Sequence, residues 1–188
     1  MFRADFARYY YEDFSKLPHT SKYHFESYYE HVMLVVAEAQ RLAQGRPEDD
    51  VVVLAACLHD INKPLTQGFN KVGGACFYGH ELVRDVDISV FLSKEDRRYE
   101  RAMALIRCHM FPYNVAREHP DDLEAAIKVA CRKELRRAGL EVQVDDEFYR
   151  QLMLLHKADD RGSVRSQEAL EGIDERVHIG EKVLADME

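Results

Sequence analysis

No CxxC pair occurs in this sequence. Its four cysteines stand apart at 57, 76, 108 and 131, which argues against a thiolate zinc site and fits reduced thiols better than a disulfide framework. No apolar run approaches the ~20 residues needed to cross a bilayer, so no membrane partner is expected. The opening residues, MFRADFARYYYEDF, mix charges with aromatics and lack the apolar centre of a secretory leader. A cytoplasmic setting is the default expectation. Cationic excess is missing too: the formal net charge is −8. Proteins that coat nucleic acid usually carry a basic balance, so a long nucleic acid is disfavoured as partner, and no basic stripe is expected. A local basic pocket for a small anion stays open. Low-complexity tracts, long linkers and internal repeats are likewise absent.

What is present suffices for one core. The chain has 188 residues, 46% hydrophobic and 32% charged, which predicts a single domain over 1–188. The periodicity reads as helical almost throughout. Residues 2–14 form an aromatic-rich amphipathic segment that Pro18 breaks. Ser21 is placed to cap a long helix to about Gln44, ended by Gly45 and Pro47. Within it Tyr28, Val32, Val35, Val36, Ala39 and Ala43 recur at helical spacing, with His31 at their margin. Residues 48–59 give a second helix, acidic at its start as the macrodipole favours. The run VVVLAACL could also be a buried strand; Pro47 and the lack of a strand partner favour helix. Residues 61–78, with Pro64, Gly68, Gly73 and Gly74, read as a loop, long enough to be functional. Helices are expected at about 79–92, 95–110, 120–138, 145–160 and 165–186, with stops at Gly139 and Gly162.

The metal-capable side chains fall in a telling order. His31 lies in YYEHVMLVV, and His59 is followed directly by Asp60 in CLHDINKP. His80 follows Gly79 in YGHELV, and His109 ends ALIRCHMF. Asp159 and Asp160 stand in LLHKADDRG, just before Arg161. A lone histidine at a helix edge is usually structural, and an Asp at a helix end can be a mere cap. The ordered set is what points to chemistry.

That order, H … HD … GH … H … ADxRG, resembles the HD-domain superfamily of metal-dependent phosphohydrolases over roughly residues 26 to 165. It is most similar to the HD domain attached to bacterial CCA-adding tRNA nucleotidyltransferases. The stretch YEHVMLVVAEAQRLA with HDINK also looks like bacterial HD hydrolases of dinucleoside tetraphosphates. Asn62 departs from the family's usual Gly, and the loop over 61–78 has no clear counterpart. The resemblance is to that domain alone, so tRNA tailing is not implied.

The resemblance implies an all-α fold, an HD-domain helical bundle, that hydrolyses phosphoesters at one or two ions. It implies His31, His59 and Asp159 around one ion, His80 and His109 around a second, and Asp60 bridging them. Such a His/Asp set suits divalent Mn, Fe, Co, Ni or Zn better than Ca, with Mg admissible. An ion there lowers the pKa of its water and clamps phosphoryl oxygens. Lys63 and Arg161, beside ligands in sequence, are assigned with Asp60 to catalysis, neutralising charge as it builds. The DxRG alignment selects Asp159 over Asp160. The leading expectation is a nucleotide phosphatase or 2′,3′-cyclic phosphodiesterase acting on a small nucleotide or phosphoester. A pyrophosphate-cleaving hydrolase of dinucleoside polyphosphates or nucleoside triphosphates is the nearest alternative. A di-iron oxygenase and a nucleotide-sensing module stand behind it. A homo-oligomer is compatible with all of these.

Overall fold

Ser27 begins the first helix with a reciprocal cap. Its hydroxyl accepts from Glu30 N at 3.3 Å, and the Glu30 carboxylate accepts from Ser27 N at 2.6 Å, which satisfies donors that a helix start leaves open. The computed structural model describes residues 24–71, 73–84, 88–116 and 122–187. The expected amphipathic segment over 2–14, Pro18 and the proposed cap Ser21 lie outside the described residues.

Helix α1 spans Tyr28–Ala43 and ends where Gln44 turns left-handed. The predicted stripe from Tyr28 to Ala43 is buried, and so is His31. A short 3-10 turn, Pro47–Asp49, leads into α2, Asp50–Leu58. Every residue from Val51 to Leu58 is buried. A helix apolar on all sides must be covered on all sides, and α2 is packed by α1, by α4 (Tyr99–Cys108) and by α7 (Asp146–Gly162). This is why the apolar run is a helix and not a strand. Asp49, fully buried at its mouth, is held by the Arg150 guanidinium of α7 through contacts that include Nη1 to Oδ2 at 2.9 Å.

The expected loop over 61–78 has structure of its own. Lys63–Thr66 forms a short helix, α3, with Pro64 in its first turn. Gly68–Phe69 (β1) pairs antiparallel with Ala75–Cys76 (β2), Gly68 opposite Cys76. The helix expected at 79–92 is not formed over its described residues. Gly79 at φ 83 and a Leu82 N to Gly79 O bond make turns instead, and only Ile88 and Ser89 are helical.

The remaining helices are α4, a short unforeseen α5 (Phe111–Val115), α6 (Leu123–Ala138), α7 and α8 (Ile173–Ala185), the last preceded by a 3-10 turn at Glu168–Leu170. All of these but the unforeseen α5 start later than expected. Gly139 is a true stop: at φ 70 it caps α6, and Leu140 N reaches back to Leu135 O at 2.9 Å. Helix α7 also ends at Gly162, but without the left-handed turn of Gly139. Gly162 sits where a Cβ would lie 2.5 Å from Val35 Cγ2 and 2.9 Å from Val35 N. Helix α1 lies at the centre, packed by α2, α7 and α8. The fold is all-α apart from the two-residue hairpin strands, and no described helix is long and apolar enough to cross a membrane.

One expectation about charge is corrected. Arg132, Lys133, Arg136 and Arg137 share one exposed face of α6 with Val129. Their i, i+3, i+4, i+7, i+8 spacing makes a local basic stripe inside a chain of net charge −8.

Candidate metal centre

Five separate segments bring polar side chains to one buried point between α1, α2, α4 and α7. His31 comes from the first turns of α1. His59 caps the C-terminus of α2 and Asp60 follows it. His109 caps α4, His80 lies in the turn after β2, and Asp159 lies in the last turn of α7. All but Asp159 are buried, and the Asp159 side chain is only 13% exposed.

The ligating atoms form two groups that share a face: His31, His59 and Asp159, then Asp60, His80 and His109, with atoms in each group within 4.8 Å of one another. Asp60 stands between them. Its Oδ2 is 3.4 Å from His31 Nε2 and 3.3 Å from His59 Nε2, and its Oδ1 is 3.4 Å from His80 Nε2. Each carboxylate oxygen therefore faces one group. Asp159 Oδ1 lies 3.3 Å from His31 Nε2 and 3.6 Å from His59 Nε2.

The imidazoles are oriented by local structure. His59 Nδ1 lies 2.8 Å from Ala56 O, His80 Nδ1 2.7 Å from Phe77 O, and His109 Nδ1 2.7 Å from Ile106 O. A carbonyl can only accept, so in each ring Nδ1 carries the proton and donates. Nε2 is then the nitrogen turned to the centre, with a lone pair free in the neutral His80 and His109 and one that a bound ion would claim in His59. His31 is turned the same way by Glu26, whose Oε1 is 3.2 Å from Nδ1. Metal-binding histidines are held in this manner by a partner on their second nitrogen. Lone pairs and carboxylates now face one another: His80 and His109 approach at 3.1 Å, Nε2 to Nε2. His59 Nε2 and Asp60 Oδ1 are buried with no hydrogen-bond partner among the described residues. Buried unsatisfied polar atoms are costly, and convergent acceptors need a cation between them. The residues fit one or two divalent ions.

Electrostatics agrees with this geometry. Burial works against charge on Asp60, yet His59, Lys63 and His31 hold its carboxyl well below the usual range, and His31 and His59 do the same for Asp159. Burial alone would lower His31 and His59. The surrounding carboxylates overcome it, raising His31 well above the ordinary value and His59 to about 9. Burial, with His80 and His59 nearby, pushes His109 down to about 3, and burial lowers His80 as well. The carboxylates thus demand positive charge, while His80 and His109 stay neutral.

Lys63 is brought to the centre: its Nζ is 2.6 Å from Asp60 Oδ2, and the residue is buried. Arg161 is not. It is two residues from Asp159, and positions i and i+2 do not share a helix face. Its guanidinium lies 3.7 Å from Glu38, with the side chain 43% exposed; Glu38 is about 10 Å along α1 from His31. The catalytic assignment of Arg161 is corrected accordingly. Asp160 pairs with Arg165 at the surface, and Lys71 is exposed beside the hairpin turn.

Sequence reasoning missed two neighbours of the ligands. Tyr113 donates to Asp159 Oδ2 at 3.2 Å and stacks edge-on against His156. Glu26 is the partner of His31. Neither has a sequence signal: Tyr113 sits in the unforeseen α5, and Glu26 precedes α1 and shares no period with it.

An HD-domain family model matches residues 28–156. The chain belongs to the HD-domain family, whose members are typically metal-dependent hydrolases. Asp159 lies just beyond the matched segment. No curated protein and no solved structure matches the chain.

Proposed function

We propose that this protein is a metal-dependent phosphohydrolase of small nucleotides or phosphoesters, a nucleotide phosphatase or 2′,3′-cyclic phosphodiesterase. One observation carries the reading: Asp60 turns one oxygen to each ligand group while Lys63 stands against it. Divalent ions bound there would supply a hydroxide nucleophile near neutral pH and Lewis-acid help to the phosphoryl group. Asp60 and Asp159 keep the site anionic, and the Nδ1 anchors of His59, His80 and His109 keep their Nε2 atoms turned inward. Lys63 is a buried point charge placed to meet a phosphoryl oxygen. Helices α1, α2, α4 and α7 exclude water from the buried side.

The substrate class follows from the number of cations at hand. Among the described residues Lys63 is the cation placed against the centre, which matches a phosphate or two and not a strand. The segment between Lys63 and His80 exposes Leu65, Phe69 and Tyr78, apolar surface suited to an organic moiety such as a base. The test is phosphate release from a panel of mononucleotides, cyclic nucleotides and dinucleotides with Mn, Co, Ni or Mg. Turnover of the small substrates with mild salt dependence is expected. A clear preference for tRNA or oligonucleotides, lost steeply as salt rises, would refute the small-substrate reading and turn attention to the basic face of α6.

A further inference from the structure

Glu26 is a buried carboxylate just ahead of α1, and both of its oxygens are engaged. Oε1 lies 2.7 Å from His24 Nδ1 and 3.2 Å from His31 Nδ1. Oε2 accepts from Phe25 N at 3.0 Å and from Val164 N at 3.1 Å. Val164 follows the end of α7, which carries Asp159, and its carbonyl accepts from Phe25 N at 3.0 Å. One side chain therefore touches a candidate metal ligand on α1 and the segment leaving the helix of another. The residue is 2% exposed, and a charge that well hidden needs partners on both oxygens.

His31 differs from the other three histidines. Ala56 O, Phe77 O and Ile106 O orient His59, His80 and His109 from three residues back in their own segments. Within a regular helix a carbonyl three residues back is already part of the ladder, and His31 sits inside α1, not at its end. Its Nδ1 is oriented instead by a charged side chain. A carboxylate is the stronger acceptor, so it both selects the Nδ1–H tautomer and makes Nε2 a better donor to an ion.

We propose that Glu26 is a positioning residue for the ion held by His31, His59 and Asp159, and that the second group, Asp60, His80 and His109, does not depend on it. The inference rests on the metal-dependent reading above. Its second half follows from distance in the network: the anchors of His80 and His109 are backbone carbonyls of other segments, which Glu26 does not touch.

The informative variant is Glu26→Gln, which keeps the size and one oxygen. If that oxygen stays on Phe25 N and Val164 N, the amide N–H faces His31 Nδ1. His31 must then accept, its proton moves to Nε2, and it can no longer ligate. If the amide flips, two N–H groups face two backbone donors. The wild-type and variant proteins are titrated with Co(II), following the visible d–d bands and heat release, with circular dichroism as the check on fold. The expected result is two binding events in the wild type and a ~10–100-fold weaker affinity for one of them in the variant, with the other unchanged. Equal affinities in the two proteins, or equal loss at both sites with the fold intact, overturns the proposal, as does a wild-type chain that binds no ion.

A second measurement guards against a variant that fails to fold. In the Zn(II)-loaded wild type, long-range 1H–15N correlations read which His31 nitrogen carries the proton. Nδ1–H is expected, and Nε2–H overturns the assignment. Failure of the hydrolase reading would look different: metal titrations as expected, and no phosphate released from any substrate.

Discussion

Gly162→Ala tests whether helix packing sets the metal centre. A methyl group there would stand 2.5 Å from Val35 Cγ2, 2.9 Å from Val35 N and 3.1 Å from Val35 Cα. The Val35 side chain is fully buried and its backbone belongs to α1, so rotation of one rotamer cannot clear the clash. Carbon atoms rest ~3.5–4.0 Å apart, which forces α7 and α1 to part by about 1 Å. Overpacking of this kind costs ~1–3 kcal/mol, against which the better helix propensity of Ala returns less than ~1 kcal/mol at a helix end. A net loss of ~2 kcal/mol lowers Tm by ~4–8 °C for a chain of this size. Asp159 lies three residues before Gly162 on the same face of α7, and His31 lies one turn before Val35 on α1. The shift therefore separates two ligands of one ion by several times the ~0.2 Å that metal sites tolerate, and affinity at that site should fall at least tenfold. Scanning calorimetry of the apo-protein and Co(II) titration read the two effects. An unchanged Tm together with unchanged affinity would refute the reasoning.

Gly180→Ala puts a methyl against the Met33 carbonyl oxygen and 2.8 Å from its carbon, a clash between α8 and the backbone of α1, so Tm should fall at least as far as in Gly162→Ala, and an unchanged Tm in calorimetry would contradict the packing of α8 on α1. Asp60→Ala removes the carboxylate that both groups share, so phosphate release should fall by orders of magnitude while helix content by circular dichroism survives, since the apolar α2 and not the centre builds the core. Retained turnover would sink the bridging role. Asp145 caps α7 by accepting from Phe148 N at 2.7 Å, and that bond is the main reason its carboxyl sits below the ordinary 3.8. A depressed carboxyl contributes stability above its unfolded pKa and loses it as pH falls through the folded one. Asp145→Ala should therefore cost ~1 kcal/mol near neutral pH, with the gap in urea midpoints narrowing as pH drops below 3.8. An equal gap at pH 7 and pH 3 would contradict the cap.

Much of the centre could be read along the chain because its parts are local. His59 and Asp60 are adjacent, so a helix ending there must deliver both, and the apolar Val51–Leu58 run leaves that helix no exposed face. The order of His31, His80, His109 and Asp159 was legible for the same reason: each sits at the end or margin of an apolar stretch. Periodicity predicts a helix at 79–92, but Gly79 at φ 83 opens turns instead, and those turns leave His80 Nε2 3.4 Å from Asp60 Oδ1.

Which side chains meet was decided only by the tertiary structure. Asp159 and Arg161 look equivalent in ADDRG, yet the angular step of the helix sends one to His31 and the other to Glu38. Gly162 reads as a helix stop in sequence and is also a contact with Val35 in space. Glu26 has no pattern at all, because its partners, His31 and Val164, are joined only when α1 and α7 pack. Sequence spacing determines what one helix can present on a face. The rotation and separation of the helices against one another determine which faces share a site, and those depend on packing between residues more than a hundred positions apart.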